Sequence, residues 1–189
     1  MPRVLKVSLC GANAVGKSSI SCRLANQEPD LDHIATIGVD YFARRLPAYD
    51  ARIGIWDLAG NVRFESITLP YIGCANTIVY VYDITRYQTV RDLRRLHKVH
   101  CGFRDISKVK LLIVGNKKDI ENSYNTCLSE GEAFASELGA PHVAVSAKEN
   151  QGIDELLIAM LTAMELEKVS STSKTEDKGV RMCDNCILS

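Results

Sequence analysis

Eight consecutive residues carry the plainest chemistry in this chain: Gly11-Ala-Asn-Ala-Val-Gly16-Lys17-Ser18, which fits the pattern G-x-x-x-x-G-K-[ST]. Its two glycines permit a turn tight enough for several backbone N–H groups to converge on phosphate oxygens at the start of a helix. Lys17 then meets the β- and γ-phosphates, and the Ser18 hydroxyl is a hard oxygen ligand for Mg²⁺. Nucleotide contact is expected from Asn13, Ala14, Val15, Gly16, Lys17, Ser18 and Ser19. This loop implies a nucleoside triphosphate and magnesium, but leaves the base open.

The base is addressed further along, by Asn116-Lys117-Lys118-Asp119 and Ser146-Ala147-Lys148. A carboxylate at Asp119 can accept from both N1–H and the exocyclic amine of guanine, whereas adenine offers no such donor pair on that edge. The wrong base would leave buried polar groups unpaired, which is the strongest form of discrimination available to a binding site. Asn116, Lys117, Asp119, Ser146, Ala147 and Lys148 are therefore the expected base-side residues.

Such groups need a scaffold that brings them to one rim. Apolar, β-branched runs near 4–10, 52–56, 77–82, 110–114 and 142–145 alternate with helical stretches near 17–26, 88–100, 130–138 and 153–168, the rhythm of an α/β fold with a mostly parallel sheet covered by helices on both faces. A further strand near 39–47 can pair antiparallel with 51–56 through the Pro47-Ala48-Tyr49-Asp50 turn, making six strands. Each motif follows a strand, and the ligand site of such a sheet lies outside the carboxyl ends of its strands.

Composition sets limits. With 189 residues, 46% of them hydrophobic, the chain suits one domain, expected at 1–168, and a tail at 169–189. Lys plus Arg and Asp plus Glu each number 23, so no global field favours nucleic acid or an anionic membrane. No apolar run is long enough to span a bilayer, and Pro2 excludes N-myristoylation. Of the seven cysteines, those at 10, 22, 74, 101 and 127 read as small buried thiols, while Cys183 and Cys186 fall in a polar tail expected to be disordered. Cys186-Ile-Leu-Ser189 fits C-a-a-X, with a terminal Ser that favours farnesyl. One lipid alone anchors only marginally, and Lys174, Lys178 and Arg181 are balanced by Glu176, Asp177 and Asp184. Cys183 is the candidate second lipid site.

Together with Thr36-Ile-Gly-Val-Asp-Tyr-Phe and Trp56-Asp57-Leu-Ala-Gly60, these motifs make the chain resemble a Rab GTPase of the Ras superfamily over about residues 3–168. The resemblance implies a Ras-like G domain of the P-loop NTPase fold, in which Thr36 closes on Mg²⁺ and the γ-phosphate, Asp57 holds Mg²⁺ through water, and the Gly60 amide senses the γ-phosphate. The expected metal set is then Ser18, Thr36 and Asp57, and the expected catalytic set Lys17, Thr36, Gly60 and Asn61. GTP would order two loops, at about 33–45 and 58–72, that effectors, an exchange factor and an activating protein read; hydrolysis would release them. A prenyltransferase, a lipid-shielding chaperone and the cytoplasmic face of an intracellular or plasma membrane complete the implied partners, with cycling to the cytosol and a role in vesicle traffic.

The chain departs from that pattern at four places. Asn61 stands where the family usually carries a glutamine that orients the attacking water; it is one methylene shorter, and a misplacement of about 1 Å can cost on the order of 10²-fold. Asn13 and Ala14 add atoms near the γ-phosphate. Leu58 removes a hydroxyl. Pro29 stands where an aromatic edge usually meets guanine, worth on the order of 1 kcal/mol, with Phe42 a candidate to replace it. Two readings follow, a slow GTPase and a nearly non-hydrolysing GTP-bound scaffold controlled by exchange or lipidation; an ATP-using P-loop kinase conflicts with Asp119.

Overall fold

The central strand of the molecule is buried at every position, as a strand covered on both faces must be. It is β4 (Thr77–Asp83) in a computed structural model that describes residues 3–30, 35–120 and 125–166. The expected tail with Cys183 and Cys186, and positions 33 and 34 of the first partner-facing segment, lie outside the described residues.

Around β4 stand β1 (Arg3–Cys10), β2 (Val39–Leu46), β3 (Ala51–Leu58), β5 (Lys110–Asn116) and β6 (His142–Ala144), in the spatial order β2-β3-β1-β4-β5-β6. All neighbours are parallel except β2 and β3, which pair antiparallel from Val39↔Leu58 to Leu46↔Ala51. The expected hairpin turn is a single 3₁₀ turn, Pro47–Tyr49, closed by Asp50 at φ 42°. Proline suits its first position because the fixed φ is already helical.

Helices α1 (Lys17–Leu24) and α5 (Ile153–Ala163) cover one face, where Ile20, Leu24, Leu156 and Met160 pack on Leu5, Leu9, Ile53 and Val114. Helices α2 (Glu65–Cys74), α3 (Tyr87–Phe103) and α4 (Asn125–Glu137) cover the other, where Ile72, Leu93 and Phe134 pack on Ile78, Tyr80 and Ile113. Each fully buried Leu, Ile or Phe contributes about 1.5–3 kcal/mol by leaving water. The second face also takes two buried phenols from β4: Tyr80 Oη lies 2.9 Å from His100 Nδ1 and Tyr82 Oη 2.9 Å from His142 Nε2, so neither hydroxyl is buried without a partner.

Three expectations need correction. Of the five cysteines expected to be buried, Cys10 and Cys127 are, whereas Cys22 is partly buried and Cys74 and Cys101 are exposed. The segments at 33–45 and 58–72 are not simply loops: β2 begins at Val39, and a 3₁₀ turn at Val62–Phe64 leads into α2. Helix α2 escaped the periodicity reading because Pro70 sits inside it and only Thr68 and Ile72 are buried. Proline removes one helical hydrogen bond, and a buried stripe of one threonine and one isoleucine gives little apolar period to read. Among the described residues, no helix is long and apolar enough to cross a membrane.

Candidate functional site

The carboxyl ends of β1, β3, β5 and β6 open onto two adjoining cavities. One, of about 300 Å³, is lined by Asn13, Ala14, Gly16, Lys17, Ser18, Ser19, Ala35, Thr36, Gly60 and Lys117. The other, of about 550 Å³, is lined by Arg23, Glu28, Pro29, Asn116, Asp119, Ala147 and Lys148, and shares Gly16, Ser19 and Lys117 with the first. Phosphate-side and base-side candidates thus occupy one continuous cleft of ligand size. Val15 and Ser146 are fully buried beneath it, and Asn61 lines neither cavity.

The phosphate loop is shaped by close backbone contact. Gly16 sits at φ 91°, and a Cβ there would lie 2.2 Å from Asn116 Nδ2. A Cβ on Gly60 would lie 2.6 Å from the Ala12 carbonyl, so the backbone after β3 rests directly on the loop. Lys17 Nζ donates to Gly11 O at 3.1 Å and Ala12 O at 2.9 Å. Burial lowers its pKa, with Asp57 opposing that shift; an anion in the cleft would favour the charged form.

Three oxygens converge beside it. Ser18 Oγ donates to Asp57 Oδ2 at 2.5 Å, Thr36 Oγ1 donates to the same oxygen at 3.2 Å, and the two hydroxyls are 3.1 Å apart. Asp57 is 0% exposed, its Oδ1 has no partner among the described residues, and burial raises its pKa despite the opposing hydroxyls and Lys17. A buried carboxylate with a spare oxygen beside two hydroxyls is a hard-oxygen donor set that suits Mg²⁺, and a cation there would offset the desolvation.

On the base side, Ser146 Oγ donates to Asp119 Oδ1 at 2.5 Å and in turn accepts from Glu149 N at 3.1 Å. One carboxylate oxygen is thereby fixed and the plane of the group with it. Asn116, which lines the base-side cavity, also makes structural bonds. Its Nδ2 donates to Val15 O at 2.8 Å and its Oδ1 accepts from Ala147 N at 3.1 Å, which ties three separate loops together beneath the cleft. Phe42 packs on the main core and is absent from the base-side lining, so the aromatic missing at Pro29 is not replaced from β2.

Two arginines that the motifs did not single out hold the loops from behind. Arg23 of α1 donates to Ala147 O at 2.9 Å and Lys148 O at 3.0 Å, and pairs with Glu28 at 2.6 Å. Arg86 Nη2 donates to Asn13 O and Ala14 O, both at 3.1 Å, while its Nε and Lys117 Nζ meet Asp83 Oδ2 at 2.8 and 2.7 Å. Burial would raise the Asp83 pKa, but Lys117 and Thr85 outweigh it and hold the carboxyl below its usual range.

A model of the Ras family matches residues 6–166. The chain belongs to the Ras family. Within it the chain is a Rab-like small GTPase: it is 34% identical over 178 residues to the GTP-binding protein YPTM1 of Zea mays, covering 93% of this chain and 85% of that one. It is 32% identical to the Ras-related protein SEC4 of Saccharomyces cerevisiae, over 89% of this chain and 78% of that one. With the Ras-related protein Rab-21 of Homo sapiens it shares 32% identity, over 95% and 84% of the respective chains. The six-stranded sheet with its single antiparallel pair is the Ras-like G domain.

In this small GTPase, β2, β3 and α2 also present an apolar surface. Tyr41, Trp56 and Tyr71 run in series, with ring centroids 5.4 and 6.4 Å apart. Ile37, Val62 and Ile67, in the segments flanking these elements and in α2, are also exposed, Ile37 at 78%. Helix α2 is linked to α3 by Arg95 Nη1 and Glu65 Oε1 at 3.0 Å.

Proposed function

We propose that this Rab-like GTPase is a Mg²⁺-dependent switch between GTP and GDP that serves vesicle traffic, with slow intrinsic hydrolysis. The carrying observation is that Asp119, set by Ser146, shares one continuous cleft with Lys17 and the Ser18–Thr36–Asp57 oxygens. Asp119 then selects guanine, the amides of 13–19 and Lys17 hold the phosphates, and Lys117 and Lys148 line the walls. Ser18, Thr36 and Asp57 would hold Mg²⁺, which when bound supplies positive charge against the phosphate oxygens. Because Thr36 bonds Asp57 and Gly60 rests on the phosphate loop, both partner-facing segments report what the cleft contains. Effectors, an exchange factor and an activating protein would read that report on the Tyr41–Trp56–Tyr71 surface.

Slow hydrolysis has its own support. Asn61 Oδ1 accepts from Arg63 N at 3.0 Å and caps the 3₁₀ turn before α2, so this short carboxamide is committed to its own backbone as well as lacking reach. Residues 1–168 form the G domain in this reading, and the tail carries a prenyl group on Cys186, supplied by a prenyltransferase, with Cys183 the second lipid site. The protein would cycle between a lipid-shielding chaperone in the cytosol and the cytoplasmic face of a membrane. The same Asn61 contact favours the second reading, a nearly non-hydrolysing scaffold.

Single-turnover hydrolysis of loaded GTP separates the two. Asn61→Gln is expected to speed it by one to two orders of magnitude, since about 1 Å of reach is restored. An unchanged rate would clear Asn61 of the slow step.

A further inference from the structure

The rim opposite the nucleotide cleft, at the amino-terminal ends of β1 and β5, carries charge that the switch does not use. A groove of about 330 Å³ there is lined by Arg3, Arg104, Lys108 and Lys110, with Glu165 as the carboxylate on its wall. All four cations are exposed. Lys110 meets Glu165 at 3.4 Å, and no ion pair among the described residues engages Arg3, Arg104 or Lys108. Lys6 and Arg52, both exposed, extend the positive charge along β1 and β3. Against it stand Glu165, Asp50, whose carbonyl accepts from Arg3 N, and Asp105, whose carboxylate accepts from Ser107 N at 2.9 Å. Val4 and Phe103, 52% and 49% exposed, add apolar area at the same end.

The formal net charge of the chain is zero, so a positive rim makes the molecule an oriented dipole with nothing to attract it bodily to an anionic surface. Helix α5 ends at Ala163, Met164 and Glu165 then line the groove, and the described chain finishes at Leu166. The segment that leads to Cys186 therefore departs from the described part of the molecule at this end. We propose that this rim is a docking surface for the anionic headgroups of a membrane, with the nucleotide cleft turned away from the bilayer. The proposal rests on the reading that the protein works at a membrane, and adds a second attachment to a lipid anchor that is marginal alone. Each cation near an anionic surface strengthens binding about fivefold.

The test uses the full-length chain without lipid, floated with phosphatidylcholine vesicles that contain or lack phosphatidylserine. Flotation is expected only with phosphatidylserine, is expected to fade as salt rises, and should fall by about tenfold or more in the double variant Arg104→Gln, Lys108→Gln. Both residues are remote from the cleft, so GTP binding by the double variant should not change. Equal flotation with both vesicles, none with either at low salt, or an undiminished double variant overturns the proposal. Displacement by inorganic phosphate at an ionic strength where chloride leaves the protein bound also overturns it, since a small-anion pocket would then be the better description. Loss of GTP binding in the unaltered chain would count against the switch instead, which keeps the two failures apart.

Discussion

At the scale of single residues, the cleft depends on side chains that no motif names. Arg23 makes two charge-assisted hydrogen bonds to the carbonyls of Ala147 and Lys148, each worth about 1.5–3 kcal/mol at best. Arg23→Ala is expected to speed GDP release about tenfold or more, read from displacement of a fluorescent GDP, with little change in the hydrolysis step. Its partners lie more than a hundred positions away in sequence, as do those of Asn116 on Val15, and such pairings leave no local pattern to read. Lys17, Ser18 and Asp119 were legible because their chemistry is local: a charge, a hydroxyl and a carboxylate at fixed places after strands. A second expectation concerns His100, 3% exposed and stacked on Tyr80, its pKa pushed down to about 4 by burial and by the neighbouring His97 and Arg95. The unfolded chain takes up a proton below about pH 6.5 while buried His100 resists. Stability should therefore fall as pH drops through that window, by up to about 3 kcal/mol from this group. Urea midpoints measured from neutral pH down to about pH 5 should show the slope, and His100→Gln, which keeps an acceptor for Tyr80, should flatten it.

At the scale of elements, the strands declared themselves and one helix did not. β4 and β5 are long apolar β-branched runs, and the β2–β3 hairpin was visible in the Pro47–Asp50 turn; their observed ends differ from expectation by a residue or two, within the fraying of any element boundary. Helix α2 was hidden because it lies over the sheet by two side chains only, leaving the rest of its surface for partners rather than for the core. An element so lightly packed opens easily. Its tie to α3 through Arg95 and Glu65 is a half-exposed ion pair, worth about 0.2–1 kcal/mol. Arg95→Ala is expected to raise hydrogen exchange of amides 65–74 by up to about fivefold while leaving β4 protection unchanged. Equal effects in both elements would mean that the pair supports the whole fold instead.

At the scale of the whole molecule, ligand binding and stability are one equilibrium. The sheet brings the loops together, but Asp57 is buried with an oxygen unpartnered among the described residues, Lys17 is buried beside it, and both are better satisfied by a phosphate–cation pair. GDP with Mg²⁺ at about a thousand times its dissociation constant adds about 4 kcal/mol to stability, which for a chain of this size is a rise in Tm of about 8–16 °C. Chelation of the metal should reverse much of that rise. The fold and its rim were readable from alternation and motif because each loop had to follow its strand, whereas the positive end at Arg104 and Lys108 was not, since charges scattered through the chain become a patch only when the sheet assembles. The most direct measurement is equilibrium binding of GTP, GDP and ATP to the nucleotide-stripped full-length protein with Mg²⁺ present. GTP and GDP are expected to bind at least about 10³-fold more tightly than ATP, the scale of discrimination set by buried hydrogen-bonding groups, with Asp119→Ala erasing the preference. Indifference between the bases, or no binding of either, would contradict the guanine-nucleotide switch.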